Sequence, residues 1–177
     1  MREVYISVDV ETTGPIPGTF SMYQLGACVV GDKRQNFFAR LKLLNENCED
    51  ESLVACRVTL PELLAKGEDP AVVMRRFATW VLQVSAGARP VFVAFNATFD
   101  WMFVHWYFCQ FLGHSPFGHN GLDVKAYYMG LTGCEWGDTS KGDIVRRFPP
   151  RYAHTHNALD DAIEQAQIFE QMLAVSR

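Results

Sequence analysis

Val4-Tyr5-Ile6-Ser7-Val8-Asp9-Val10-Glu11-Thr12-Thr13-Gly14 is the stretch on which the fold turns. Side chains of a strand alternate between faces, so Val4, Ile6, Val8 and Val10 form one apolar row while Ser7, Asp9 and Glu11 share the other. Asp9 and Glu11 are therefore neighbours at the end of a buried strand. Two carboxylates so placed repel each other and call for protons or cations, a divalent metal above all. The plainer reading makes them the opening of a turn built by Thr12, Thr13 and Gly14, which are good turn residues.

The rest of the chain bounds what this strand can belong to. At 177 residues and 49% hydrophobic, it is long enough for one domain with a sizeable core, read here as residues 1–177. No apolar run approaches a membrane span, and Met1-Arg2-Glu3 does not open a signal peptide, so the expected location is the cytoplasm, with no membrane partner. Five cysteines, with no Cys-x-x-Cys pair, argue against a disulfide framework and a zinc knuckle and for reduced thiols. The net charge of −4 counts against nucleic acid only if the acid is spread out. Setting aside four metal-binding carboxylates takes it to 0, and bound cations would make the site positive where phosphate sits.

After the first strand, residues 23–31 and 35–43 read as two strands joined by a hairpin turn at Gly31-Asp32-Lys33-Arg34. Residues 45–58 are polar and aperiodic, an irregular surface connection with little to say about function. Thr59-Leu60-Pro61-Glu62 carries a capping box and starts a helix that Gly67 ends. Asp69-Pro70 opens a longer one, with Val73, Phe77, Trp80, Val81 and Val84 as its core stripe. Residues 90–95 form a continuous apolar run, a strand covered on both faces. A helix over 100–112 follows, apolar nearly all round, so it is either heavily buried or set against a partner, as in a homodimer or a polymerase-type complex. Residues 113–121 are loop, with His114 and His119 as surface histidines, and 122–125 reads as a strand end. Helices are expected over 141–148, stopped by Pro149-Pro150, and over 158–175.

The last helix holds two adjacent aspartates that its wheel separates. Asp160, Glu164, Gln167 and Gln171 recur at i, i+4, i+7 and i+11 and make a solvent face. With Asn157 as cap, Asp160 serves the helix start. Asp161 shares its side with Ala158, Ala162, Gln165, Ile168 and Phe169, where a carboxylate is costly without a partner. Asp9, Glu11, Asp100 and Asp161 are thus four acids that solvent does not explain. In sheets wrapped by helices, ligands collect at the carboxyl ends of strands, so a common site is geometrically possible.

These residues resemble the DEDDh branch of the DEDD (DnaQ-like) 3′–5′ exonuclease superfamily. Val8-Asp9-Val10-Glu11-Thr12-Thr13-Gly14 is similar to its first motif, Asn96-Ala97-Thr98-Phe99-Asp100 to its second and His156-Asn157-Ala158-Leu159-Asp160-Asp161-Ala162 to its third. The resemblance implies an α/β fold of the ribonuclease H-like type, a mixed central sheet with helices on both faces. It implies stepwise hydrolysis of single-stranded RNA or DNA from the 3′ end, releasing nucleoside 5′-monophosphates with two divalent cations, Mg2+ or Mn2+. Asp9, Glu11, Asp100 and Asp161 would be the metal ligands, His156 the general base, and Thr12, Thr13 and Asn96 substrate-binding. Hard ions with oxygen ligands and a histidine titrating near neutrality suit that chemistry.

Two positions depart from the family pattern: Phe95 stands where His is common, and Pro15-Ile16 follows Gly14 in place of one bulky apolar residue. Tyr23 and Ile16 are both candidates for the wedge against the terminal base. Lys141, Arg146, Arg147, Arg151 and His154 either grip phosphates or form a solvated loop offset by Asp138 and Asp143. Two rival classes are a ribonuclease H-type endonuclease, which lacks the second motif and the His-x4-Asp spacing, and a non-catalytic nucleic-acid or polymerase-binding module, which would have lost a ligand. RNA and DNA are not distinguished by the sequence.

Overall fold

A computed structural model describes residues 2–151 and 155–176. The chain opens with an antiparallel meander: β1 (Glu3–Thr12), β2 (Met22–Val29) and β3 (Asp32–Arg40). The hairpin turn is shorter than the sequence suggested. Val29 pairs with Asp32 across Val30-Gly31, because Gly31 adopts φ 88° and closes the loop in two residues.

The irregular connection expected over 45–58 contains a seven-residue helix, α1 (Asp50–Cys56), ended by Arg57 in the left-handed region. It buries no residue completely, so no apolar period marks it in the sequence. Next come α2 (Leu60–Leu64), with the capping box of Thr59 and Glu62 formed, and α3 (Pro70–Ser85), whose N-cap Asp69 accepts from Ala71 and Val72. β4 (Arg89–Ala94) and β5 (Gly121–Asp123) flank α4 (Ala97–Leu112). After them lie α5 (Val124–Thr132), a 3-10 turn at Trp136–Asp138, α6 (Lys141–Arg147) and α7 (Ala158–Val175). The strand end expected over 122–125 stops at Asp123, whose side chain caps α5, so Val124 and Lys125 are helical.

The sheet order is β3-β2-β1-β4-β5, with β4 and β5 parallel to β1. It is mixed, with helices on both faces. Ile6, Val8 and Val10 of β1 join Phe77 and Val81 of α3 and Phe103, Val104 and Phe108 of α4 on one side. Val93 of β4 packs with Ile168, Phe169 and Met172 of α7 on the other, closed off by α5 and α6. The apolar run of β4 is covered on both faces, as its composition required. Helix α4 is buried along one side only; Trp101, Met102, Trp106 and Phe111 remain partly exposed. Among the described residues no helix is long and apolar enough to cross a membrane.

Candidate active site

The sheet forks where the acids lie. β1 and β4 pair in parallel as far as Ser7 and Val93, then separate. Side chains take over the orphaned backbone groups. Gln165 of α7 bridges the fork: its Nε2 donates to the Val8 carbonyl at 2.9 Å, and its Oε1 accepts from the Phe95 amide at 2.6 Å. Two residues further along, the Val10 amide donates to Asp100 Oδ1 at 3.0 Å. Asp100 stands in the first turn of α4, whose start is fixed by the Ala97 amide donating to Asp123 Oδ2 at 2.6 Å. The other oxygen of Asp123 caps α5 through the Ala126 amide at 2.8 Å. One carboxylate thus sets the start of two helices. Asn96, in the left-handed region at φ 58°, turns the chain from β4 into α4.

The third wall is the start of α7, which rests on β2. Gly26, paired with Asp9, is the contact: a Cβ there would lie 2.1 Å from the Ala158 carbonyl carbon. Only glycine lets the helix approach so closely. Asn157 caps the first turn through the Leu159 and Asp160 amides, and Gln24 Oε1 accepts from the Ala158 amide. Asp161 then points into the cleft, 2% exposed, with Oδ1 accepting from the Thr155 amide at 2.9 Å, while Asp160 is exposed and accepts from the Thr155 hydroxyl. The wheel's separation of the two aspartates holds. Glu164 corrects it: placed on the solvent face by its spacing, it is 4% exposed and holds Lys141 of α6 at 2.5 Å. A lysine 23 residues away in sequence makes that burial tolerable.

Asp9, Glu11 and Asp161 bring carboxylate oxygens within 4.8 Å of one another. Burial, then the charges of Asp100, Glu11 and Asp161, holds the Asp9 carboxyl well above the ordinary range, and Lys141 pulls the other way. Burial likewise lifts Asp100 to about 8, against the hydrogen bonds it accepts from Val10 and its own amide. Glu11 is raised by burial, offset by a hydrogen bond from Cys56. Repelling carboxylates gathered in a half-buried cleft, all hard oxygen donors, fit divalent cations of the magnesium class.

Other sequence candidates fall around this cleft. His156, exposed and at φ 57°, has a ring nitrogen within 4.8 Å of Glu11 and Cys56 donor atoms. Thr13 spends its amide on Ser21, its carbonyl on Glu49, and its hydroxyl on the Asn47 carbonyl and the Ser21 amide. Thr12 donates its hydroxyl to the Gly14 carbonyl. Both threonines thus shape the turn with their side chains. Of the wedge candidates, Tyr23 is only 2% exposed, whereas Ile16 is 55% exposed beside the cleft turn. In the basic segment, Lys141 pairs with Glu164 and its charge reaches Asp9, Arg146 pairs with Asp143 at 2.7 Å, and Arg147 lies over Phe148. His154 lies outside the described residues.

Sequence reasoning missed Cys56. Its Sγ donates to Glu11 Oε2 at 2.9 Å, and its thiol is pushed up to about 12 by burial and then by that carboxylate. Its position depends on α1 folding back across 45 residues, for which the local sequence holds no signal.

Residues 6–169 match the exonuclease family. The chain belongs to that family, within the DnaQ-like 3′–5′ exonuclease superfamily. It is 38% identical over 169 residues to the 3′–5′ DNA exonuclease Cap18 of Escherichia coli, a match covering 95% of this chain and 90% of that one. The fold is similar to the nuclease domain of 3′hExo, a DEDDh family member bound to rAMP (TM-score 0.75, 13% identity, 97% and 92% of the two chains). It is also similar to Escherichia coli exonuclease I in complex with a dT13 oligonucleotide (TM-score 0.70, 17% identity), of which it spans 42%. This exonuclease therefore has a ribonuclease H-like fold and is a 3′–5′ exonuclease acting on nucleic acid.

Proposed function

We propose that the chain is one exonuclease domain, 1–177, that removes nucleoside 5′-monophosphates from single-stranded 3′ ends, with DNA as its substrate. The observation that carries this reading is the convergence of Asp9, Glu11, Asp100 and Asp161 on one cleft, with His156 at its mouth. The preference for DNA draws support from the 38% identity to a DNA exonuclease along nearly the whole chain. A cytoplasmic setting fits its five free thiols.

Two Mg2+ or Mn2+ ions held by Asp9, Glu11, Asp100 and Asp161 would supply charge for the attacking and leaving oxygens of the phosphodiester. The protein does the rest. Asp100, fixed by the Val10 amide, and Asp161, fixed by the Thr155 amide, are held in place before substrate arrives. His156 takes a proton from the attacking water onto a ring nitrogen. The turn at Thr12 and Thr13 and the exposed Asn96 receive the terminal nucleotide, and Ile16 borders its base. Lys141, whose charge reaches Asp9 from its ion pair with Glu164, draws in the backbone phosphate. The partly exposed side of α4, with Trp106 and Met102, is the surface offered to a second copy or a polymerase-type partner.

The test is digestion of matched end-labelled DNA and RNA oligonucleotides with Mg2+ or Mn2+. DNA mononucleotides should appear one at a time from the 3′ end, and a 3′-phosphate should block the reaction. Efficient cutting of circular single strands would refute the exonuclease assignment, and faster digestion of RNA would refute the substrate.

A further inference from the structure

Glu11 belongs to two donor clusters at once. With Asp9 and Asp161 it forms an all-oxygen set; with Cys56 and His156 it forms a set of one oxygen, one sulfur and one nitrogen, again within 4.8 Å. The second set is drawn from β1, α1 and the loop before α7, three segments distant in sequence. Hard cations choose oxygen, whereas thiolate and imidazole select zinc, which takes three protein ligands and leaves a fourth position open. Bond lengths of about 2.0–2.3 Å put tetrahedral donors about 3.5 Å apart, so donors within 4.8 Å of one another need close by at most about 1.3 Å, while the sulfur, 2.9 Å from Glu11 Oε2, opens by about 0.6 Å. Tyr23 supplies the surrounding support. Its hydroxyl is buried against Cys56 with no well-aligned hydrogen bond of its own, and it would donate to a thiolate there.

The geometry points to an inhibitory Zn2+ site made by Glu11, Cys56 and His156. Binding replaces the S–H···O hydrogen bond with Zn–S, Zn–N and Zn–O bonds, and the thiol proton leaves to solvent. An ion there withdraws Glu11 from the oxygen set and occupies the lone pair that His156 needs to accept a proton. The inhibition rests on the exonuclease reading; the binding does not.

Two measurements separate these. Co2+, titrated in place of zinc without nucleic acid, should give a near-ultraviolet thiolate charge-transfer band with the native chain. Cys56→Ser and Cys56→Ala should lose that band although Cys28, Cys48, Cys109 and Cys134 remain. His156→Ala should keep the band but need at least about tenfold more cobalt. With Mg2+ fixed and each enzyme normalised to its own zinc-free rate, the zinc midpoint for inhibition should rise at least about tenfold in Cys56→Ser, ~1.4 kcal/mol of lost affinity. A missing band in the native chain, a band surviving in both cysteine variants, or unchanged cobalt affinity in His156→Ala overturns the site. Equal zinc midpoints overturn its inhibitory role.

Discussion

Removing divalent ions and raising the pH from about 4 to about 8 charges a cleft whose acids repel one another. Asp9, Glu11 and Asp100 all have folded-state pKa values above their unfolded ones, so their neutral forms favour folding. That contribution is complete below the ordinary carboxylate range and is lost as pH climbs through the raised values. For Asp100 the step from 3.8 to about 8 sets a ceiling of roughly 6 kcal/mol at ~1.4 kcal/mol per pH unit. Solvent entry and side-chain relaxation bring the expected loss to about 2–4 kcal/mol. Each kcal/mol moves the melting point of a chain this long by about 2–4 °C. Thermal unfolding in EDTA and in saturating Mg2+ should therefore diverge by about 5–15 °C near pH 8 and converge near pH 4. Exposed carboxylates such as Asp32 and Glu62, lowered by hydrogen bonds from Arg34 and Thr59, cancel between the two conditions. A gap of constant size across that range would show that the cleft carboxylates do not couple stability to pH.

His156→Ala should lose about 10²–10⁴ in turnover while Mg2+-induced stabilisation persists; unchanged turnover would remove His156 as the base. Gly26→Ala drives a Cβ into the Ala158 backbone, so it should displace the start of α7, cost about 1–3 kcal/mol in denaturant unfolding and reduce turnover by up to about 10²-fold. Native stability and activity in that variant would show that α7 does not need the close approach.

The sequence was most informative where a local period meets a local burial. Strand alternation put Asp9 and Glu11 on one face, and the α7 wheel turned Asp161 inward and Asp160 outward, because each depends only on its own element's geometry. Readings failed where burial comes from a distant partner. Glu164 looks solvent-facing until Lys141 of α6 is brought to it. Cys56 looks idle until α1 is folded against β1. The two-helix cap by Asp123 and the fork-bridging Gln165 were equally hidden, since nothing local says which orphaned amide a side chain will reach. Alternation and wheel patterns record which side of an element is buried, not what meets it there.

The paired aspartates give the sharpest test of which carboxylates form the site. Single-turnover cleavage of end-labelled DNA, compared for Asp161→Asn and Asp160→Asn at saturating Mg2+, isolates the contribution of each. Asp161→Asn should lose at least about 10²-fold in cleavage rate. Asp160→Asn should stay within about twofold of the native rate, with at most roughly 0.5–1 kcal/mol lost from α7. Equal losses in the two variants, or a larger one in Asp160→Asn, would remove Asp161 from the metal-binding set.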